Sequence, residues 1–414
     1  MEIVEKKKCL IIVCGLRIGG VETYVSRLAE SMAKRGVSPV VLVLSRKHDA
    51  AILARIERCS QVIWIDEVQA FPGATSWLNA FIPLKARSTL LDQVYDYVHV
   101  VDSLTLHFLA LNAHLIRYRS ATIGIYHERE FLWWSGANVM FRRQQIALAR
   151  LNARAILFPN EVIRTRFAGD NALAEQDLPL LPLGVDLPHL GILASQPSLR
   201  IVSIGRLVDF KTYNRIVIDV LPRLRESGNF RYEIYGSGPA GAALRQQVAD
   251  LGLEAHVDFR GDIAPQDIEG ALRGAFCFVG SGTTVITSAS YGVPSLVGVE
   301  SNPALTTGGL FSEVSGYSYN EASCYTALKP MLDELLALHR ASPDEYNAIS
   351  MRHLRKSEEF DIDQTVVQFL DSFHGPLQLV PLRSRWAAAA SVVTSLIPLA
   401  GPGIASFKRR YFNG

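Results

Sequence analysis

Residues 275–294 read Ala-Phe-Cys-Phe-Val-Gly-Ser-Gly-Thr-Thr-Val-Ile-Thr-Ser-Ala-Ser-Tyr-Gly-Val-Pro. The short apolar run Ala275 to Val279 meets a Gly280-Ser281-Gly282 turn. A segment then opens with Thr283 and Thr284 and stops at Gly292 and Pro294. This order predicts a strand, a glycine loop and a helix with a defined end. A glycine loop opening a helix points unpaired N–H groups at whatever lies above it, and the helix end adds a positive field. The ligand so favoured is an anion such as a diphosphate, although a plain turn uses the same residues.

The same alternation extends in both directions. Upstream, Leu10–Val13, Val40–Leu44, Val62–Ile65, Tyr97–Val101, Thr122–Tyr126 and Ala155–Phe158 read as strands. Between the first two, Val21, Val25, Leu28, Ala29 and Met32 form one apolar helical stripe. A second series follows at Ile201–Ile204, Tyr232–Tyr235, Val257–Phe259 and Ser295–Val299. Strands apolar on both faces and separated by helices predict parallel sheets covered on both sides. The reading is therefore α/β, with an N-terminal domain over 1–187, a second over 188–375 and a tail over 376–414; the join falls in Leu187–Ser198, which carries Pro188, Gly191 and Pro197.

The 414 residues suffice for two or three domains with sizeable cores. A net charge of +2 gives no general attraction to nucleic acid, and none is expected as a partner. Five widely spaced cysteines form no metal-ligand pattern and read as free thiols of a reducing compartment. The opening residues are too short and wrongly flanked for a signal peptide, so the expectation is cytoplasmic. The uncharged run Ala387–Phe407 lies between Arg383 and Arg385 on one side and Lys408, Arg409 and Arg410 on the other. Broken by Pro398 and Pro402, it suits peripheral contact with an anionic membrane, at the inner face of the cell membrane, or a helix crossing back onto the first domain.

Gly19-Gly20-Val21-Glu22, Tyr126-His127-Glu128, Gly184-Val185-Asp186, Gly205-Arg206-Leu207 with Lys211, Gly236-Ser237-Gly238-Pro239 and the 280–294 segment occur in this order over roughly residues 9–375. In that order the chain resembles the retaining glycosyltransferases of family 4 (group 1). The resemblance implies a GT-B fold of two facing Rossmann-like domains with parallel sheets. It also implies transfer of a sugar from a nucleotide diphosphate sugar to an acceptor hydroxyl, with no cofactor and no required metal. The basic, apolar tail, with Trp133, Trp134, Arg142 and Arg143, points to a saccharide or lipid-linked acceptor at a membrane face, in cell-surface polysaccharide or lipopolysaccharide synthesis.

On the donor side the resemblance gives Arg206 and Lys211 the task of neutralising the departing diphosphate. Gly19, Gly20, Gly280, Gly282, Thr283 and Thr284 border the nucleotide and its phosphates, and Arg260 borders the base. Gly236 and Gly238 allow close approach of the nucleotide or of a neighbouring loop, or form a simple turn. His127 supports the sugar ring; on its own, a strand-end histidine reads as structural. Asp102 caps a helix or orients an acceptor hydroxyl. Trp133 and Trp134 stack on sugars, contact lipid or anchor an insert, and Arg142 and Arg143 meet phosphate or anionic lipid.

One departure stands out. The family carries two glutamates eight positions apart in its last segment, and the corresponding positions here read as Val279 and Thr287. Three outcomes follow: an unusual donor sugar, carboxylates supplied from elsewhere, or a chain that only binds. The last makes a non-catalytic sugar-nucleotide-binding subunit, partnering an active glycosyltransferase, the alternative function. Thr287 is expected on the ribose, and if the ribose is held elsewhere Glu300 and Glu313 are the first acids to consider. A dehydrogenase is disfavoured, because Gly15, Gly19 and Gly20 do not form Gly-x-Gly-x-x-Gly.

Overall fold

A computed structural model of the chain describes residues 6–17, 19–70, 76–80, 82–85, 90–127, 152–171, 174–188 and 191–373. Glu128, Trp133, Trp134, Arg142, Arg143 and the tail over 376–414 lie outside the described residues. The chain divides into two units, one formed by Met1–Gly184 with the segment returning at Ile362, the other by Val185–Asp361. Each contains one Rossmann-like parallel sheet.

In the first unit the strands are β1 Lys8–Val13, β2 Ser38–Val43, β3 Gln61–Trp64, β4 Val94–Val100, β5 Arg117–Gly124 and β6 Ile156–Leu157. Their order is β3-β2-β1-β4-β5-β6, and every pairing is parallel. Cys9, Ile11 and Val13 of β1 pack into one core cluster, Leu10 and Ile12 into another. A strand apolar at successive positions has this outcome when both faces are covered. The helix Gly20–Lys34 buries Tyr24, Val25, Leu28, Ala29 and Met32 on one of those faces. On the same face lies the helix Ile362–Asp371, whose Ile362, Val366 and Phe369 join that cluster. Arg35 Nη2 donates to the Asp363 carbonyl at 3.0 Å, tying the two helices together.

The second unit holds β7 Arg200–Ile204, β8 Arg231–Tyr235, β9 Val257–Gly261, β10 Cys277–Gly280 and β11 Ser295–Val297, in the order β11-β10-β7-β8-β9, again parallel. The chain passes from β7 outward to β8 and β9, then returns to lay β10 and β11 on the other side of β7. The crevice between β7 and β10 is therefore the topological switch point, where open α/β sheets bind ligands beyond the strand ends. The stretch over 275–294 forms the expected strand, loop and helix. The helix is Thr283–Ser290 with Gly282 at its N-cap, and it ends before Gly292 at φ +67°. Among the described residues no helix is long and apolar enough to cross a membrane.

Candidate functional site

At the switch point of the second sheet, three loops from adjacent strands meet. The loop after β7 supplies Arg206 and Lys211, the loop after β10 supplies Ser281 and Gly282, and the loop after β11 supplies Glu300. Gly282 has φ +71°, a conformation that side-chain-bearing residues rarely adopt, and nothing lies within 4 Å of where a Cβ would stand. Open space thus sits directly over the helix start. The Gly282 amide donates to Asn320 Oδ1 at 2.8 Å, while the Thr283 and Thr284 amides remain for a ligand. Thr284 Oγ1 donates to the Ser281 carbonyl and Thr287 Oγ1 to the Thr283 carbonyl, so both hydroxyls keep only their lone pairs for anything bound.

Lys211 and Glu300 face one another electrostatically. Burial pushes the Lys211 ammonium below its usual range, with Glu300 opposing that shift and Arg206 adding to it. Burial likewise pushes the Glu300 carboxyl up, against the Ser281 hydrogen bond and the Lys211 charge, and Glu321 raises it further. Ser281 Oγ donates to Glu300 Oε1 at 2.9 Å. Beside Lys211 lies Tyr213, fully buried, its hydroxyl without a hydrogen-bond partner. Both the Tyr213 hydroxyl and Lys211 Nζ come within 3.3 Å of the point a Cβ on Gly205 would occupy. Arg206 is exposed.

The glycines after β8 hold this loop in place. A Cβ on Gly236 would overlap the Gly205 carbonyl oxygen, and one on Gly238 would overlap that of Leu207. The Leu207 amide donates to the Ser237 carbonyl at 2.9 Å and the Gly205 amide to the Tyr235 carbonyl at 3.0 Å. Gly236 and Gly238 thus serve close approach of a neighbouring loop, the one that carries Arg206 and Lys211.

Other residues singled out in the sequence stand apart. Arg260, on the edge strand β9, pairs with Glu233 at 3.0 Å, and Arg200 holds that same carboxylate at 2.7 Å. Val279 is fully buried inside β10, its carbonyl accepting from Ser203 Oγ, so its side chain faces the core. Gly280 is buried too, and a Cβ there would meet the Phe278 ring. Of the two acids left open, Glu313 is bonded to Lys329 at 2.9 Å, whereas Glu300 stands at the crevice. Sequence spacing could not have ranked them, because Glu300 reaches Ser281 only through the pairing of β10 with β11.

In the first unit, the switch point lies between β1 and β4. Gly19 is the N-cap of the helix Gly20–Lys34, and the space over Gly20 is open. Asp102 caps the helix Ser103–Asn112 in a capping box with Thr105, and also accepts from Cys14 Sγ at 3.2 Å. Tyr126, just before the partly buried His127, has its hydroxyl 3.0 Å from His99 Nε2. Burial holds that His99 imidazole down to about 3, hence neutral. Among the described residues no group of three His, Cys, Asp or Glu is arranged to hold a metal ion.

Residues 18–188 match the family model described as Glycosyltransferase Family 4. No curated protein sequence matches the chain. Among solved structures, Anabaena Alr3699/HepE in complex with UDP superposes with a TM-score of 0.61 at 15% identity, covering 88% of this chain and 99% of that one. The apo form of the lipopolysaccharide outer core galactosyltransferase WaaB gives 0.59 at 15%, covering 88% and 98%. WaaG, a glycosyltransferase involved in lipopolysaccharide biosynthesis, gives 0.55 at 13%, covering 88% and 99%. At such identities the likeness to these structures establishes the fold. With two Rossmann-like units and the family match over residues 18–188, the chain has a GT-B fold and is related to the group-1, family-4-like glycosyltransferases.

Proposed function

We propose that the chain is a retaining glycosyltransferase. It moves a sugar from a nucleotide diphosphate sugar to a hydroxyl of a saccharide or lipid-linked acceptor in cell-surface polysaccharide or lipopolysaccharide synthesis. The observation that carries this reading is the crevice beyond β7 and β10, where Lys211 interacts with Glu300 and Glu300 accepts from Ser281, next to the open helix start at Gly282. Cations and preorganised amides there would stabilise the charge that grows on the diphosphate as its bond to the anomeric carbon breaks. Arg206, exposed on the same loop, adds a second cation. The departing diphosphate oxygen takes the acceptor's proton, so that no side chain is required as nucleophile. His127 is assigned to hydrogen-bonding the donor sugar, and Arg260 to the base side.

Incubating the protein with UDP-, GDP- and ADP-sugars and measuring nucleoside diphosphate release, with and without lipopolysaccharide-type acceptors, tests the reading. Lys211→Ala is expected to lower turnover by roughly 10²–10³, the scale for loss of one preorganised transition-state donor. Undiminished turnover in that variant would remove Lys211 from the site. Binding of a sugar nucleotide without release or transfer would favour the non-catalytic subunit, a reading to which the core position of Val279 lends weight. The tail over 376–414 is assigned to peripheral contact with an anionic membrane face, which places the protein at the cytoplasmic side of the cell membrane.

A further inference from the structure

We propose that Glu300 is the carboxylate that recognises the hydroxyls of the donor sugar, in place of the acid pair missing at Val279 and Thr287. The inference rests on the donor-site reading above and deepens it.

Glu300 is held from several directions. Its backbone amide donates to the Asn320 carbonyl at 2.8 Å, and Asn320 Oδ1 in turn accepts from the Gly282 amide at 2.8 Å. The next residue, Ser301, sits at φ +56°, one of only two non-glycine positive φ values among the described residues, and its amide donates to the Phe210 carbonyl at 2.7 Å. A side-chain-bearing residue kept in the left-handed region costs conformational energy and persists only where its surroundings fix it. The backbone on both sides of Glu300 is thus fixed, and its Oε1 accepts from Ser281 Oγ at 2.9 Å at the crevice.

The contact with Ser281 satisfies one of the carboxylate's two oxygens. An ionised carboxylate accepts about four hydrogen bonds, so capacity is left for hydroxyl donors. Glu300 and Lys211 are both half-buried, and burial shifts each toward its neutral form. The fully buried Tyr213 hydroxyl, unpartnered and beside Lys211, is a second independent sign that this space is built for a polar ligand. A nucleoside diphosphate brings the negative charge of its phosphates toward the Lys211 and Glu300 end of the crevice, and its only hydroxyls are those of the ribose. A sugar attached to it brings hydroxyls, which a carboxylate binds through charge-assisted hydrogen bonds. Glu300 therefore sets the preference for the sugar nucleotide over the free diphosphate.

The test compares binding of UDP with UDP-glucose, GDP with GDP-mannose, and ADP with ADP-glucose by calorimetry, in the wild type and in Glu300→Gln. For the pair that the wild type binds, the substitution is expected to weaken the sugar nucleotide by about tenfold or more. The free diphosphate should bind equally well or more tightly, because a negative charge beside Lys211 is gone. Equal changes for both ligands, or none, would overturn the inference while leaving the donor site standing. If the wild type binds no member of any pair, the donor-site reading itself fails. Should Glu300→Gln not fold, Ser281→Ala keeps the carboxylate but removes its hydroxyl partner. It is expected to lower the same preference, and an unchanged preference there would overturn the assignment.

Discussion

Replacing Tyr213 by phenylalanine is expected to stabilise the protein and, at the same time, weaken its hold on a nucleotide. The ring is fully buried against Gly298, where a Cβ would stand 2.6 Å from it, and its hydroxyl has no hydrogen-bond partner. An unsatisfied buried polar group costs ~1–3 kcal/mol. Phenylalanine has the same outline and needs no partner. The unit that carries the residue spans Val185–Asp361. In a domain of that general size ~1 kcal/mol moves Tm by about 2–4 °C, so thermal unfolding without ligand should shift upward by at least ~2 °C. The hydroxyl lies beside Lys211 Nζ, and a diphosphate oxygen held by that ammonium would accept from it. Losing one neutral hydrogen bond of ~1 kcal/mol should weaken the bound nucleoside diphosphate about fivefold. Opposite signs for stability and binding are what a site maintained against packing produces. A Tm that stays level or falls would mean the hydroxyl is satisfied in the free protein, by water or otherwise, and would refute the reasoning. A higher Tm with unchanged nucleotide affinity would keep the packing argument and take Tyr213 out of the site.

Gly238→Ala should destabilise by ~1–3 kcal/mol, because its φ of +153° and the Leu207 carbonyl leave no room for a Cβ. Nucleotide affinity should fall with it, since the displaced loop carries Lys211; denaturant unfolding at wild-type stability would refute this. Burial pushes His353 down to about 4, where its Nε2 accepts from the Ser295 amide at 2.9 Å. As pH falls the unfolded chain, at about 6.5, takes up the proton first. The stability is therefore complete above about pH 6.5 and lost progressively toward pH 4, by ~3 kcal/mol at most. A His353→Asn variant should lose less stability than the wild type between pH 7 and 5, and equal losses in thermal melts would exonerate the histidine. Deleting residues 383–414 should abolish co-sedimentation with anionic liposomes, whereas retained co-sedimentation would place membrane contact elsewhere.

Alternating apolar runs and helical stripes were enough to locate all eleven strands of the two sheets, because burial on both faces of a parallel strand leaves a continuous apolar signature. The helix start at Gly282 was legible for the same local reason, since turn and cap chemistry is written within a few residues. Other features depended on contacts between distant segments. Gly236 and Gly238 fit a nucleotide, a neighbouring loop or a simple turn by sequence alike, and only the packing shows that their missing side chains make room for Gly205 and Leu207. The helix Ile362–Asp371 follows the second sheet in sequence but packs on the helix Gly20–Lys34, because its apolar face completes that distant core. Val279 and Glu300 show the same division most plainly. The sequence determined that a carboxylate pair was missing, a fact of residue identity at fixed spacing. Which acid stands at the crevice was decided by tertiary structure: β11 lies beside β10, so Glu300 after the one meets Ser281 after the other.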